Sequence, residues 1–414
     1  MRKITTKILA TALMLLALHP AQAQQNGDDD LKYRRSSIYS LLINHTEQNF
    51  AKEIRAAFQQ MPVPDKYNDH NLSVKVVNMS EKLKNASKKG ENPAITEFLN
   101  SNEVASRLVA RWFNRDKETG LCDMNLVADR GLYNANEIDK EIARQSSRGM
   151  AMLSDAGEDL IGNTFVLVND IRYVDKEQRS KKVGSFLSGL GTAVMLASGR
   201  SDDRLLGETL QIAGDLAETY KGFKVRINTF LYQLVWNDEL AGEFYNTWQS
   251  DPATASPQAF DAIRGKFSLK YVGKVESKGS TTSFLGIKED EPVKMVRKAC
   301  QRALDENVVD LQRQFEAFRT KSPLIDVDEL RAYVGLKEGV TEDSKFEVLE
   351  VIEEEDGTHR YKRVGVIKPE KDKIWDNRYM ALEEGAPNAD LGYTTFRKVS
   401  GGTFYRGMLI REMR

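Results

Sequence analysis

Several segments of the chain carry apolar residues at every third or fourth position, the spacing of an amphipathic helix. The first, at residues 47–60, is followed by a proline-rich stretch that ends it. Another begins where Asn92 can cap a helix and Pro93 suits its first turn. The pattern predicts helices at residues 47–60, 93–112, 138–153, 203–221 and 293–319.

Other segments alternate apolar and polar residues or are rich in β-branched residues, as strands are. The clearest alternation lies in residues 223–236. Toward the C-terminus the apolar runs are short, and the Asp-Gly pair at 356–357 and the Gly-Gly pair at 401–402 have the composition of hairpin turns. The predicted strands are residues 36–43, 164–168, 223–236, 267–275, 345–352, 361–367, 394–399 and 403–410.

These elements predict an α+β protein in which helices pack on a mostly antiparallel sheet, followed by a small C-terminal β-barrel or sandwich module. We expect one face of the sheet to be wet and the other to be covered by the helix at 293–319, whose apolar stripe includes Val296, Cys300 and Phe318. The expected divisions are a signal peptide at 1–23, a mainly helical region at 24–116, a sheet-and-helix domain at 117–327 and an all-β module at 328–414.

The N-terminus has the order of a secretory signal peptide. Arg2, Lys3 and Lys7 precede an apolar run at residues 8–18, and the triplet Ala-Gln-Ala at 21–23 matches a cleavage site. The run is shorter than the roughly 20 residues that cross a bilayer. The sequence therefore predicts an exported protein that is periplasmic or associated with the cell surface.

Charge and cysteine content narrow the choice of partner. The chain has 60 basic and 61 acidic side chains, so no general positive surface favours nucleic acid as a partner. Cys122 and Cys300 could form one disulfide in an oxidising compartment. Because Cys300 falls on an apolar helix stripe, a buried free thiol is the simpler interpretation.

The C-terminal part carries a resemblance to a known group of proteins. The sequences GLKEGV at 335–340, KFEVL at 345–349 and RVGVI at 363–367 resemble the small β-module of envelope assembly proteins, such as the flagellar T-ring family and relatives of curli-secretion factors. In those families a glycine-flanked turn precedes a first barrel strand, and a later strand carries a Val-Gly pair. The resemblance covers under a quarter of the chain. It implies packing and assembly rather than chemistry, and it transfers no functional residue.

An uncharged stretch at residues 184–199 lies between basic residues and a charged segment. Its small residues Gly184, Ser188 and Thr192 have the spacing of close helix contacts in membranes. As a helix it would extend about 24 Å, short of the roughly 30 Å hydrocarbon core. A buried or interfacial hairpin, or a loop tucked onto the body, is the alternative to a peripheral membrane contact. The candidate membrane or assembly contacts are Phe186, Leu187, Leu190, Val194 and Leu196.

No motif for catalysis or cofactor binding is recognisable. The mature chain has three histidines, His45, His70 and His359, and none has the spacing of paired metal ligands. Asp65, Asp69 and His70 form the strongest cluster for metal binding or proton transfer, although a solvated turn explains it more simply. We therefore assign no catalytic residue, no cofactor and no metal ligand.

Acidic and aromatic residues supply weaker candidates for a glycan site. The acids Asp155, Glu158 and Asp159 could pair, or simply form a solvated helix end. Asp170 follows a predicted buried strand. Trp236 and Trp375, each next to an Asn and an Asp, could line a glycan groove or anchor a strand end; the residues after them are Asn237, Asp238, Asp376 and Asn377.

Three functional hypotheses remain. The leading one is a non-catalytic cell-envelope protein that acts in assembly or scaffolding through a protein partner or as a homo-oligomer. The second is a glycan-processing or other hydrolase whose carboxylates meet only in the fold. The third is a membrane-inserting oligomer that uses residues 184–199.

Overall fold

The computed structural model describes residues 36–78, 90–123, 125–126, 159–174, 223–247, 256–280, 292–353 and 359–414. Its strands are β1 (Ser37–Ile43), β2 (Asn68–Asp69), β3 (Val76–Val77), β4 (Thr164–Tyr173), β5 (Lys224–Leu234), β6 (Leu269–Ser280), β7 (Ser322–Asp326), β8 (Leu330–Ala332), β9 (Phe346–Glu353), β10 (His359–Pro369), β11 (Thr394–Gly401) and β12 (Leu409–Glu412). Its helices are α1 (Ala51–Gln59), α2 (Pro93–Ser101), α3 (Val104–Trp112), α4 (Asp238–Thr247), α5 (Pro257–Ile263) and α6 (Pro292–Gln314). The helices predicted at 138–153 and 203–221 and the stretch at 184–199 lie outside these residues.

The protein is α+β, as predicted, but its first sheet is mixed rather than mostly antiparallel. The strand order is β2-β1-β4-β5-β6, with β3 also pairing with β1. β1 is parallel to β2, β3 and β4, whereas β4, β5 and β6 run antiparallel. The chain leaves β1 through α1 before it returns to β2, and such a crossover is what parallel neighbours require. Apolar periodicity marks a strand but does not encode the direction of its partner.

Both faces of this sheet are covered, so the expectation of one wet face is wrong. On one face, Tyr39, Val166 and Tyr232 belong to a core that includes residues of α2, α3, α4 and α5. On the other, Leu42 and Ile227 pack with residues of α1 and α6. Eight consecutive residues of β4 are buried, as is typical of a strand enclosed by two layers.

Helix α6 separates the sheet from the C-terminal strands. Its predicted apolar stripe is confirmed, since Val296, Cys300 and Leu311 are fully buried against the sheet. The helix ends at Gln314 and is followed by a 3-10 turn, Glu316–Phe318, rather than continuing to residue 319. Strand β7 then begins the second sheet.

The second sheet is a closed ring of six antiparallel strands in the order β10-β11-β8-β7-β12-β9. The predicted pairing of β9 with β10 is confirmed. The predicted hairpin across residues 401–402 is wrong, because β11 pairs with β10 and β8 whereas β12 pairs with β7 and β9. Residues 403–408 form no strand, and the buried ring of Phe404 packs into the core of the ring instead.

The structure explains why glycine occupies two positions in the motifs that resemble an assembly module. At Gly339 the backbone has a φ of 74°, in the left-handed region that glycine favours. A Cβ at Gly365 would lie 2.4 Å from the Phe404 ring, so this position of β10 admits no side chain. Gly365 also lies at an irregularity in the pairing of β10 with β9.

Charged side chains attach the ring to α6. Arg302 donates to the Tyr379 carbonyl at 2.9 Å and to Glu384 Oε2 at 2.9 Å, and Lys298 forms an ion pair with Glu384. Although burial opposes ionisation, the hydrogen bonds from Lys298 and Arg302 hold the pKa of Glu384 below its ordinary value. Glu384 therefore remains a carboxylate between two cations of the helix.

A second attachment lies near the end of the helix. Arg313 contacts both carboxylate oxygens of Glu412 in β12, at 2.9 and 2.8 Å, and also donates to the Gly339 carbonyl. Bidentate pairs of this kind fix orientation as well as distance. Lys337 of the ring donates to Asp65 at 2.8 Å, so the ring also contacts the segment that follows α1.

The two cysteines are free thiols, which settles the disulfide alternative. Burial raises the pKa of the Cys300 thiol to about 12, which leaves it protonated and unreactive at ordinary pH. Within the described ranges, no helix combines the length and the apolar composition needed to cross a membrane.

Candidate functional site

A row of buried polar side chains crosses the first sheet on the face that α6 covers. The Thr229 hydroxyl donates to Asn169 Oδ1 at 2.8 Å, and Asn169 Nδ2 donates to Ser40 Oγ at 3.0 Å. At one end the Ser40 amide donates to Asn71 Oδ1 at 2.8 Å, and at the other Asn307 Nδ2 of α6 donates to Thr229 Oγ1 at 2.8 Å. The row is thus tied to the loop after β2, to three strands and to the helix.

A pocket lies between this row, α1, the segment at residues 61–64 and α6. Its interior volume is about 50 Å³, so it is a narrow recess rather than a broad cleft. The apolar part of its lining comes chiefly from Ile38, Phe58, Met61, Leu167, Leu304 and Val308. The polar part includes Ser40, Asn71, Lys75, Asn169, Thr229, Gln301 and Asp305.

Asp305 is the most unusual group in this lining. It is 6% exposed, and its only described hydrogen bond comes from Gln301 Nε2 to Oδ1 at 3.1 Å. Burial raises the pKa of Asp305 from 3.8 to about 7, against a smaller opposing effect of Lys337. The carboxyl group therefore changes its charge within the physiological range, as groups at functional sites often do.

The cluster predicted around Asp65, Asp69 and His70 does not assemble in the structure. Asp65 pairs with Lys337 of the ring, and Asp69 accepts hydrogen bonds from Asn71. The buried His70 turns to the opposite side, where its Nε2 lies 3.0 Å from the Leu108 carbonyl. Among the described residues, no group of three or more potential ligands could hold a metal ion.

A histidine that follows β1 and a carboxylate within β4 are far apart in the sequence but meet in the fold. His45 Nε2 lies 2.6 Å from Asp170 Oδ1, and Arg172 contacts the same carboxylate at 3.1 Å. Although burial opposes ionisation, these neighbours lower the pKa of Asp170. The predicted strand ends at residue 168, before Asp170, whereas β4 continues to Tyr173. No motif in the sequence pairs His45 with Asp170, because only the parallel pairing of β1 with β4 brings them together.

A cleft of about 470 Å³ brings together residues from two separate segments that the sequence suggests for a glycan site. Asp159 lies on its wall with Trp236, Asn237 and Asp238, the first of the two tryptophan motifs. Asp155 and Glu158 lie outside the described residues. Trp375 behaves as an anchor, because its Nε1 donates to the Ala389 carbonyl at 3.2 Å.

Comparison of the chain with models of known protein families and with curated proteins finds no match.

Proposed function

We propose that this chain is an exported, non-catalytic cell-envelope protein that acts in assembly or scaffolding, through self-association or a protein partner. Its C-terminal ring is the small β-barrel module that the resemblance implies. A scaffold has to hold its parts in a fixed relation, because its contacts define the geometry of the complex.

The observation that carries the proposal is the attachment of the ring to α6. Lys298 and Glu384 are 7% and 18% exposed, so this ion pair is largely removed from water. Removing one member of a buried pair leaves the other charge uncompensated and typically costs about 3–5 kcal/mol. Together with the contacts of Arg302 and Arg313, the pair favours one orientation of the ring.

Light scattering on the mature protein, residues 24–414, tests the proposal directly. We expect a defined oligomer in plain buffer, and its formation should be reduced by Glu384→Gln, which removes the charge that Lys298 and Arg302 face. Glu383→Gln is the matched control, since Glu383 is exposed and adjacent in sequence.

A monomer in plain buffer and with liposomes, with no protein captured at defined stoichiometry from the envelope fraction, would contradict the assembly role. Oligomers that form only with liposomes would instead favour the membrane-inserting hypothesis. A circular dichroism melt of each variant separates loss of assembly from loss of folding.

The cleft beside Trp236 favours glycan processing as a second candidate function. Open clefts that combine an aromatic ring, amides and two carboxylates suit sugars, and glycosidases use acid pairs about 5–9.5 Å apart. We expect Asp159→Asn with Asp238→Asn to abolish hydrolysis of β-linked oligosaccharides, measured as released reducing ends. The exposed Asp261→Asn is the control, and unchanged hydrolysis in the double variant would exclude this cleft.

A further inference from the structure

The pocket beneath α6 contains two buried oxygen acceptors for which the described residues supply no donor. Neither Gln301 Oε1 nor Asp305 Oδ2 has a hydrogen-bond partner among the described residues. Their residues are 8% and 6% exposed. An unsatisfied buried polar atom lowers the stability of a protein by about 1–3 kcal/mol, and by more when it is charged. Two such acceptors on successive turns of one helix favour the binding of a ligand that donates hydrogen bonds to both.

The surroundings of the two acceptors indicate which chemical group could donate to both. Two acceptors side by side, one of them a carboxylate above neutral pH, attract a group with several N–H donors and a positive charge. Ile38, Phe58 and Leu304 among the lining suit an aliphatic chain, and the small interior admits a thin chain rather than a ring. A primary ammonium on an unbranched alkyl chain has these properties.

We propose that this pocket binds a primary alkylammonium group, with the ammonium donating to Gln301 Oε1 and Asp305 Oδ2 and the alkyl chain packing against Ile38, Phe58 and Leu304. This site is separate from the assembly role, since both acceptors lie on α6 and no residue of the ring lines the pocket. The same chemistry is offered by a free alkylamine and by the lysine side chain of a protein partner.

Several charged groups lie near Asp305, including Lys66 and Arg302, which line neighbouring recesses with it. Lys337 favours its ionised form, whereas Glu338 and Asp65 oppose it. Glu306 follows Asp305 on α6 but is exposed. Although Lys337 favours ionisation, burial keeps the pKa of Asp305 raised, so an ammonium beside the carboxylate would stabilise its charged form.

Calorimetric titration of the mature protein at about pH 8, where Asp305 is mostly ionised, tests the site. We expect n-pentylamine to bind with a Kd of about 1 mM, as befits a small ligand. Pentyltrimethylammonium, which keeps the charge but has no N–H donor, should bind at least about tenfold more weakly.

Two variants assign the binding to these side chains. Asp305→Asn presents an amide donor to the ammonium and should weaken pentylamine binding by at least about tenfold, and Gln301→Met removes Oε1 at similar length. Equal affinity of pentylamine for the unchanged protein and for Asp305→Asn, or no saturable binding of any primary amine, would overturn the proposal.

The source of the ammonium is distinguished by a further probe. Nα-acetyl-lysine N-methylamide presents the lysine side chain with the backbone of a peptide. Tighter binding of this probe than of pentylamine would identify a partner's lysine as the ligand, and weaker binding would identify a free alkylamine. Each result depends on the pocket and is unaffected by whether the chain forms oligomers.

Discussion

Replacing Asp305 with asparagine is expected to raise the free energy of unfolding by about 4 kcal/mol near pH 8 and by less than about 1 kcal/mol near pH 4. The change removes an ionisable group but keeps an oxygen that can accept from Gln301 Nε2. Chemical denaturation of both proteins across this pH range measures the difference.

The direction follows from the raised pKa of Asp305. With a pKa of 3.8 in the unfolded chain and about 7 in the folded protein, the folded state binds the proton more tightly. Stability therefore falls as the pH rises from about 4 to about 7, because ionisation is easier in the unfolded chain. Asparagine does not ionise, so the variant escapes this loss and the difference between the two proteins grows with pH.

Asp310→Asn supplies the control for this prediction. Asp310 lies on the same helix but is only partly buried, so the same chemical change should alter the unfolding free energy by less than about 0.5 kcal/mol. A difference between the unchanged protein and Asp305→Asn that does not vary with pH would mean that Asp305 is not the titrating group.

A stabilising substitution at a lining residue also sharpens the binding test. Natural proteins retain destabilising polar groups chiefly where those groups serve a function. If Asp305→Asn is more stable and yet loses affinity for pentylamine, the loss cannot come from unfolding. Stability and binding would then be opposed at one residue, as is typical of binding sites.

Elements with strong local patterns could be predicted from the sequence, and relations between distant strands could not. The N-cap at Asn92, whose side chain accepts from the Ala94 amide, and the stripe of α6 follow from nearest neighbours along the chain. The parallel pairing of β1 with β4 joins residues more than 120 positions apart, and nothing in either strand specifies it. The closure of the ring also depends on pairing between strands that are not neighbours in the sequence, since β12 pairs with β7 and β9 rather than with β11.

The candidate pocket could not be predicted for a related reason. As single polar residues within two apolar strands, Asn169 and Thr229 do not indicate a binding site. In the sequence, Asp305 cannot be distinguished from an acidic residue on the solvent-facing side of a helix. The close approach of α6 to the sheet lines one pocket with Asp305, Asn169 and Thr229, and residues 64–67 also help to enclose Asp305. The sequence contains one indirect signal for such a polar row. A polar residue at a strand position whose neighbours on the same face are apolar indicates a buried polar side chain.

That close approach depends on Gly279, and Gly279→Ala is expected to lower the free energy of unfolding by about 3 kcal/mol or more. A Cβ at Gly279 would lie 2.1 Å from the carbonyl oxygen of Ala299 and 3.1 Å from the Ala303 side chain. Both belong to α6, so the helix would have to move away from β6 and give up contacts along the apolar face. Urea denaturation monitored by tryptophan fluorescence measures the effect.

The same substitution at Gly242 should act in the opposite direction. Gly242 lies exposed within α4, and a Cβ there meets no atom within 4 Å. Alanine is a better helix former than glycine, so Gly242→Ala should raise the free energy of unfolding by about 0.5–1 kcal/mol. Equal effects of the two changes would mean that α6 does not press against β6. Opposite signs would locate the cost of the added methyl group at the contact between β6 and α6.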